Sequence, residues 1–273
     1  MKFTPYPYQQ YGIDRILSDD YLGLFLEMGL GKTSITLAAV NELKYGRWAV
    51  SRCLVIAPKK VAEATWSREA EKWDNLRHLR IVLVLGSVQK RIRALDTPAD
   101  IWVINRENVP WLVDYYRQNW PFDMVVLDES TSFKNARSKR WRALKLVRSR
   151  IRRIVELTGT PAPNGPEDLW AQVYLLDGGE RLGKTLSSFR EAYCTQDYTR
   201  PGQQYRTYTL QQGADQRIWD AISDCCVSMK AEDYLTLPPY IEDVVPGVGR
   251  LTDTRHLNST CAQSWRLQRA CIS

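Results

Sequence analysis

The chain has 273 residues, 44% of them hydrophobic and 25% charged, with a formal net charge of +7. That length supports one good core and a small appendage and leaves little room for two full domains. No apolar run approaches the roughly 18 residues of a membrane helix, and the start MKFTPYPYQQ has no basic region followed by an apolar stretch, so the expectation is a soluble, cytoplasmic chain without a membrane partner. Along the chain, YLGLFL at 21 to 26 reads as a buried strand, and Lys32 to Tyr45 has helical spacing. The strand CLVIA at 53 to 57 is followed by a helix over Val61 to Trp73, then come IVLVL at 81 to 85 and IWVI at 101 to 104. A helix over Val109 to Gln118 leads to MVVLD at 124 to 128, and one over Ser138 to Val147 to RIVELT at 153 to 158. This alternation predicts an α/β fold, a parallel sheet with helices on both faces. After Asp168 the strand signal fades, and helices are expected around Leu169 to Leu176, Ser187 to Tyr193 and Gln216 to Met229. From 247 to 273 neither period is present, so an irregular tail is expected.

Charge and cysteine placement narrow the chemistry. The run from Lys134 to Arg153 holds ten basic residues and no acidic one, a distribution suited either to a polyanionic partner or to a solvated helix face. Six cysteines, Cys53, Cys194, Cys225, Cys226, Cys261 and Cys271, form no CxxC pair and are accompanied by two histidines, which predicts free thiols rather than zinc or disulfides.

Three segments carry chemistry. EMGLGKT at 27 to 33 sits directly after a strand and before a helix, the setting of a phosphate-binding loop. Gly29 and Gly31 let the backbone curl so that N–H groups and the helix N-terminus point at a phosphate chain. Lys32 is then expected to neutralise the β and γ phosphates of ATP, and Thr33 to hold Mg2+. The general pattern has a glycine where Leu26 stands. In MVVLDES the strand ends on Asp128 and Glu129, at the sheet edge where parallel sheets place ligands. Asp128 is expected to hold the magnesium shell and Glu129 to orient and deprotonate an attacking water. In LTGTPAPN at 157 to 164, the small residues Thr158, Gly159 and Thr160 leave room for a γ-phosphate, and Pro161 and Pro163 stiffen the exit. RLGKT at 181 to 185 looks like a second phosphate loop but follows no predicted strand, so it is set aside.

These segments, in this order, resemble the first RecA-like domain of superfamily two helicases, and within them the Swi/Snf-like DNA translocases, over roughly residues 5 to 240. LEMGLGKT is similar to that family's phosphate loop, with Leu26 where the family has Asp. PYPYQQYGIDRI resembles its glutamine motif, which makes Gln9 the expected adenine reader. LVIAPKKVAEATWSREAEKW at 54 to 73 resembles motif Ia and implies contact with a nucleic-acid backbone through Lys59 and Lys60. DESTSFKN resembles the DEAH-type box, with Thr131 where the box has the His that couples the γ-phosphate site to the neighbouring motif, and LTGTPAPNGPEDLW resembles the motif usually written LTGTPxxNxxxELW, which assigns Thr158, Gly159 and Thr160 to coupling.

The resemblance implies a RecA-like motor domain over 1–176, a helical appendage and the start of an interdomain linker over 177–246, and an irregular tail over 247–273. It also implies duplex DNA as partner, and the short, insertion-poor domain points to a phage or bacterial source. The likeness stops near Pro246, so the second RecA-like domain, with the arginines that complete the ATP site, is expected to be absent, through truncation by frameshift, a split gene with the partner on another chain, or a fragment. Slow turnover of ATP by the chain alone follows from that expectation. The alternative is a regulatory module that holds nucleotide or DNA without productive turnover.

Overall fold

A computed structural model describes residues 1–197 and 207–234. The expected tail at 247–273, the linker-like segment after 234 and residues 198–206 lie outside the described residues. The chain opens with α1 (Pro7–Ser18), entered through Pro7 at a position where its missing N–H is no loss. There follow β1 (Tyr21–Leu26), α2 (Lys32–Asn41), β2 (Cys53–Ala57), α3 (Lys59–Lys72) and β3 (Ile81–Val84). Next come α4 (Val88–Asp96), β4 (Ile101–Asn105), α5 (Val109–Tyr116), β5 (Met124–Asp128), α6 (Lys139–Val147) and β6 (Arg153–Thr158). The remaining elements are α7 (Glu167–Asp177), α8 (Leu186–Tyr193), β7 (Cys194–Gln196), β8 (Tyr208–Leu210), α9 (Ala214–Ile222) and β9 (Cys226–Met229).

Seven strands form one sheet in the order β3-β4-β2-β5-β6-β1-β9. Every pairing in it is parallel. The apolar runs are continuous because both faces are covered. On β2, Leu54 and Ile56 enter one core, with residues of α4 to α9, while Cys53, Val55 and Ala57 enter the other, with residues of α1 to α3. The sheet therefore divides two apolar layers, and a single strand serves both through its period of two. Among the described residues no helix is long and apolar enough to cross a membrane.

The expected helix over Gln216 to Met229 is corrected: α9 ends at Ile222, and Cys226 to Met229 is a strand along the open edge of β1. The segment after 176 is thus not helical alone; it contributes β9 to the main sheet, and β7 with β8 forms a small antiparallel pair. β9 docks because Gly23 leaves room for it. A Cβ at Gly23 would lie 2.8 Å from Cys226 Sγ and 2.8 Å from the Phe25 ring. The RLGKT segment is a turn between helices, as its lack of a preceding strand predicts: Gly183 has φ +91 and Thr185 caps α8.

If β9 is held this way, Gly23→Ala destabilises the fold by about 1–3 kcal/mol through overpacking. Adding Cys226→Ala should recover part of that loss in urea unfolding. An undiminished midpoint for Gly23→Ala would contradict the docking described.

Candidate active site

The C-terminal edge of the sheet gathers the polar segments picked out above. β6 lies between β5 and β1, pairing Asp128 with Leu157 on one side and Thr158 with Phe25 on the other. The loops after β1, β5 and β6 are therefore neighbours by register.

The loop after β1 turns through Gly29 at φ +89 and Gly31 at φ +79, conformations that cost an L side chain about 1–2 kcal/mol. Nothing lies within 4 Å of a Cβ added at Gly29, whereas one at Gly31 would meet Gln9 Nε2 at 2.6 Å. Gln9, buried in α1, accepts from the Tyr6 N–H at 3.0 Å and lies with Nε2 3.4 Å from the Leu30 carbonyl. Its amide thus packs onto the glycine loop. α2 starts at Lys32, so its free N–H groups open toward this loop.

Lys32 Nζ donates to the Leu26 carbonyl at 2.7 Å and the Glu27 carbonyl at 3.2 Å. Burial lowers its pKa, opposed by the negative charges of Glu129, Asp128 and Glu27. Thr33 follows on the same turn, and Ser34 behind it is anchored by donating to Glu69 Oε1 of α3 at 2.7 Å.

Across β6, Asp128 accepts from the Trp66 indole at 2.9 Å. Burial raises its pKa; the Trp66 hydrogen bond lowers it, Glu129 raises it further and Lys32 lowers it. Glu129 stands in the left-handed region, φ 58 and ψ 59, where a side chain is strained. That turn takes the chain abruptly from β5 into the short 3₁₀ segment Ser130–Phe133.

The third segment closes the cluster. A Cβ at Gly159 would lie 3.3 Å from the Leu26 carbonyl and 3.6 Å from the Met28 N, so this glycine lets the loop after β6 rest on the start of the phosphate loop. Thr158 is buried and its hydroxyl accepts from the Thr160 N–H at 3.1 Å. Gln9, Gly29, Gly31, Lys32, Thr33, Asp128, Glu129, Thr158, Gly159 and Thr160 thus share one edge. Lys59 and Lys60 stand exposed at the N-terminus of α3, after β2, the strand next to β5.

The donor set suits a nucleoside triphosphate with magnesium. Thr33 and Asp128 offer hard oxygen ligands, which Mg2+ prefers, and the open space at Gly29 with the helix N-terminus forms a cradle for phosphate.

Two features were not assigned from the sequence. Trp66, fully buried, is the hydrogen-bond donor to Asp128. Trp141 in the basic run is a core residue, 4% exposed, donating to the Ala171 carbonyl at 2.7 Å. The run itself divides. Lys134 pairs with Asp168, Arg140 with Glu107 and Arg153 with Asp20, while Arg137, Lys139, Arg142, Arg150 and Arg152 are exposed and unpaired among the described residues.

A glycine loop closing the first strand, with its lysine beside an acid pair two strands away, defines a P-loop nucleotide-binding protein of the RecA-like class. Within that class the chain matches the SNF2-related domain over residues 16–244 and belongs to that family. A protein of Acyrthosiphon pisum secondary endosymbiont phage 1, p41, is 38% identical over 249 residues, covering 89% of this chain and 54% of the relative. Helicase swr1 of Aspergillus fumigatus is 31% identical over 196 residues, covering 67% of this chain and 11% of the relative. The chain thus spans about half the phage relative and about a tenth of the fungal one. The Sulfolobus solfataricus SWI2/SNF2 ATPase core, solved with dsDNA, shares the fold at a TM-score of 0.65 and 24% identity, over 85% of this chain and 45% of that one.

Because burial holds the Asp128 pKa above its unfolded value, ionising it opposes folding. Its contribution to stability is intact below the unfolded pKa and is lost as pH rises through the folded one. Asp128→Asn is therefore expected to melt higher than the parent at pH 8 and to lose that advantage near pH 4. Equal melting at both pH values would refute the desolvated carboxylate.

Proposed function

We propose that this chain is the ATP-binding and hydrolysing first motor domain of a Swi/Snf-like translocase acting on duplex DNA. The observation that carries it is the gathering of Lys32, Asp128 and Glu129 around β6, with Gly159 against the phosphate loop. The Sulfolobus neighbour, solved with dsDNA, supports the choice of partner.

In this reading Gln9 reads the adenine, and the N–H groups around Gly29 and Gly31 hold the phosphates. Lys32 neutralises them; its desolvated ammonium gives up only backbone carbonyl partners when a phosphate takes their place. Thr33 and Asp128 hold magnesium, which when bound withdraws charge from the phosphate oxygens. Glu129 takes a proton from the attacking water, held in position by the strained turn at its own backbone. Trp66 keeps the Asp128 carboxylate oriented. Lys59 and Lys60 contact the DNA backbone, and Thr158, Gly159 and Thr160 relay closure toward a second RecA-like domain on another chain or a longer product.

The test is ATP hydrolysis and nucleotide binding by the purified chain, with and without duplex DNA. Lys32→Ala is expected to lose nucleotide binding. Glu129→Gln should keep binding and lose turnover by about 10²-fold or more. Alone, the chain should turn over slowly, and a supplied second domain should raise the rate by about 10³-fold or more. Rapid DNA-stimulated turnover by the chain alone would overturn the need for that partner, and binding without turnover under any condition would make the chain a nucleotide-holding module.

A separate prediction concerns DNA. Lys59→Ala with Lys60→Ala should weaken duplex binding evenly across sequences and flatten the log–log salt slope by about 2. An unchanged slope would move the contact elsewhere, the exposed arginines near α6 being next to try.

A further inference from the structure

Three polar side chains with no place in the mechanism above meet beneath the carboxylate pair. Ser130, directly after Glu129, Glu156 on β6 and Gln172 on α7 are each 0% exposed. The Ser130 hydroxyl donates to Gln172 Oε1 at 2.8 Å. Gln172 Nε2 in turn donates to the Pro161 carbonyl at 2.7 Å and to the Asp168 carbonyl at 2.8 Å. One amide therefore grips the loop after β5 with its oxygen and the loop after β6 with its nitrogen.

Glu156 faces the same serine from the sheet, and neither of its carboxyl oxygens has a hydrogen-bond partner. The serine thus has a second acceptor beside the one it uses. Burying three such groups is costly where apolar side chains could fill the space, and a network of this kind holds its members to one geometry only while every link is made.

We infer that Gln172 is a positioning residue, the link through which occupancy of the Asp128–Glu129 site is passed to the loop Thr158–Gly165, with Ser130 the moving end and Glu156 its alternative acceptor. The link runs through α7, outside every segment that touches nucleotide. This inference rests on the ATP-binding reading of the site. When nucleotide draws on Asp128 and Glu129, Ser130 moves with them because it is the next residue. Gln172 follows the hydroxyl and pulls on the Pro161 carbonyl, tightening the loop that lies against the phosphate loop at Gly159.

The experiment compares the full chain with Gln172→Met, Ser130→Ala and the double variant. Gln172→Met keeps an unbranched side chain of similar size, and Ser130→Ala removes one oxygen and no carbon, so the link can be tested even if one variant unsettles α7. Affinity for a non-hydrolysable ATP analogue with magnesium, hydrogen exchange of amides in 158–165, and kcat and KM for ATP with duplex DNA are measured. In the parent chain, the analogue should raise exchange protection of 158–165 by about tenfold. Each variant should lose that rise and lower kcat, while its affinity and KM stay within about threefold and the double variant is no worse than either single one, as for two ends of one link.

A rise in protection that survives in a folded variant, losses that add in the double variant, or a parent loop that nucleotide does not protect would each overturn the inference while leaving the ATP site standing. A parent chain that does not bind the analogue would overturn the ATP-binding reading itself, and the inference with it.

Discussion

The site depends on one constraint, the placing of β6 between β5 and β1 in parallel register. Parallel pairing aligns strand ends on one side, so the loops that leave β1, β5 and β6 emerge side by side without any long-range instruction beyond the ladder. Were β6 displaced by a single residue, Glu156 would exchange faces with Leu157. A carboxyl would then enter the layer beneath α1 to α3, and the glycine that admits the phosphate loop would no longer meet it.

The site costs the fold stability. Lys32 and Asp128 are both shifted against their charged forms, chiefly by burial, while their mutual attraction works the other way. Glu129 adds backbone strain. What holds these groups in place is the pair of apolar layers on either side of the sheet, with Trp66 in one and Trp141 in the other, both anchored by indole hydrogen bonds. Charge held away from water by rigid walls responds strongly to a polyanion arriving among it, and that sensitivity is useful to a nucleotide site.

Much of this was legible in the sequence. Six strands appear as apolar runs, interrupted inside only by Glu156 of β6, because both faces are covered, and the phosphate loop shows itself by its place between a strand and a helix. β9 was hidden: four residues, Cys226 to Met229, one short turn after a helix, carry no period of their own, and their strand geometry comes from the free edge of β1. α4 was also passed over, since its buried face amounts to Arg91 and Leu95. The contacts that organise the acid pair were beyond any local pattern, because Trp66 and Asp128 are 62 residues apart and Ser130 and Gln172 are 42 apart. Sequence spacing names the groups that do chemistry; it does not name the neighbours that aim them.

α3 carries Lys59 and Lys60 at one end and, two turns on, the indole that holds Asp128. About 10 Å of stiff helix separates the two, at 1.5 Å per residue. A helix of that length stretches little, so a displacement of its basic end would carry the indole with it. The basic end of α3 and the hydrogen bond that orients Asp128 thus belong to one stiff element, and a substitution that reseats one bears on the other.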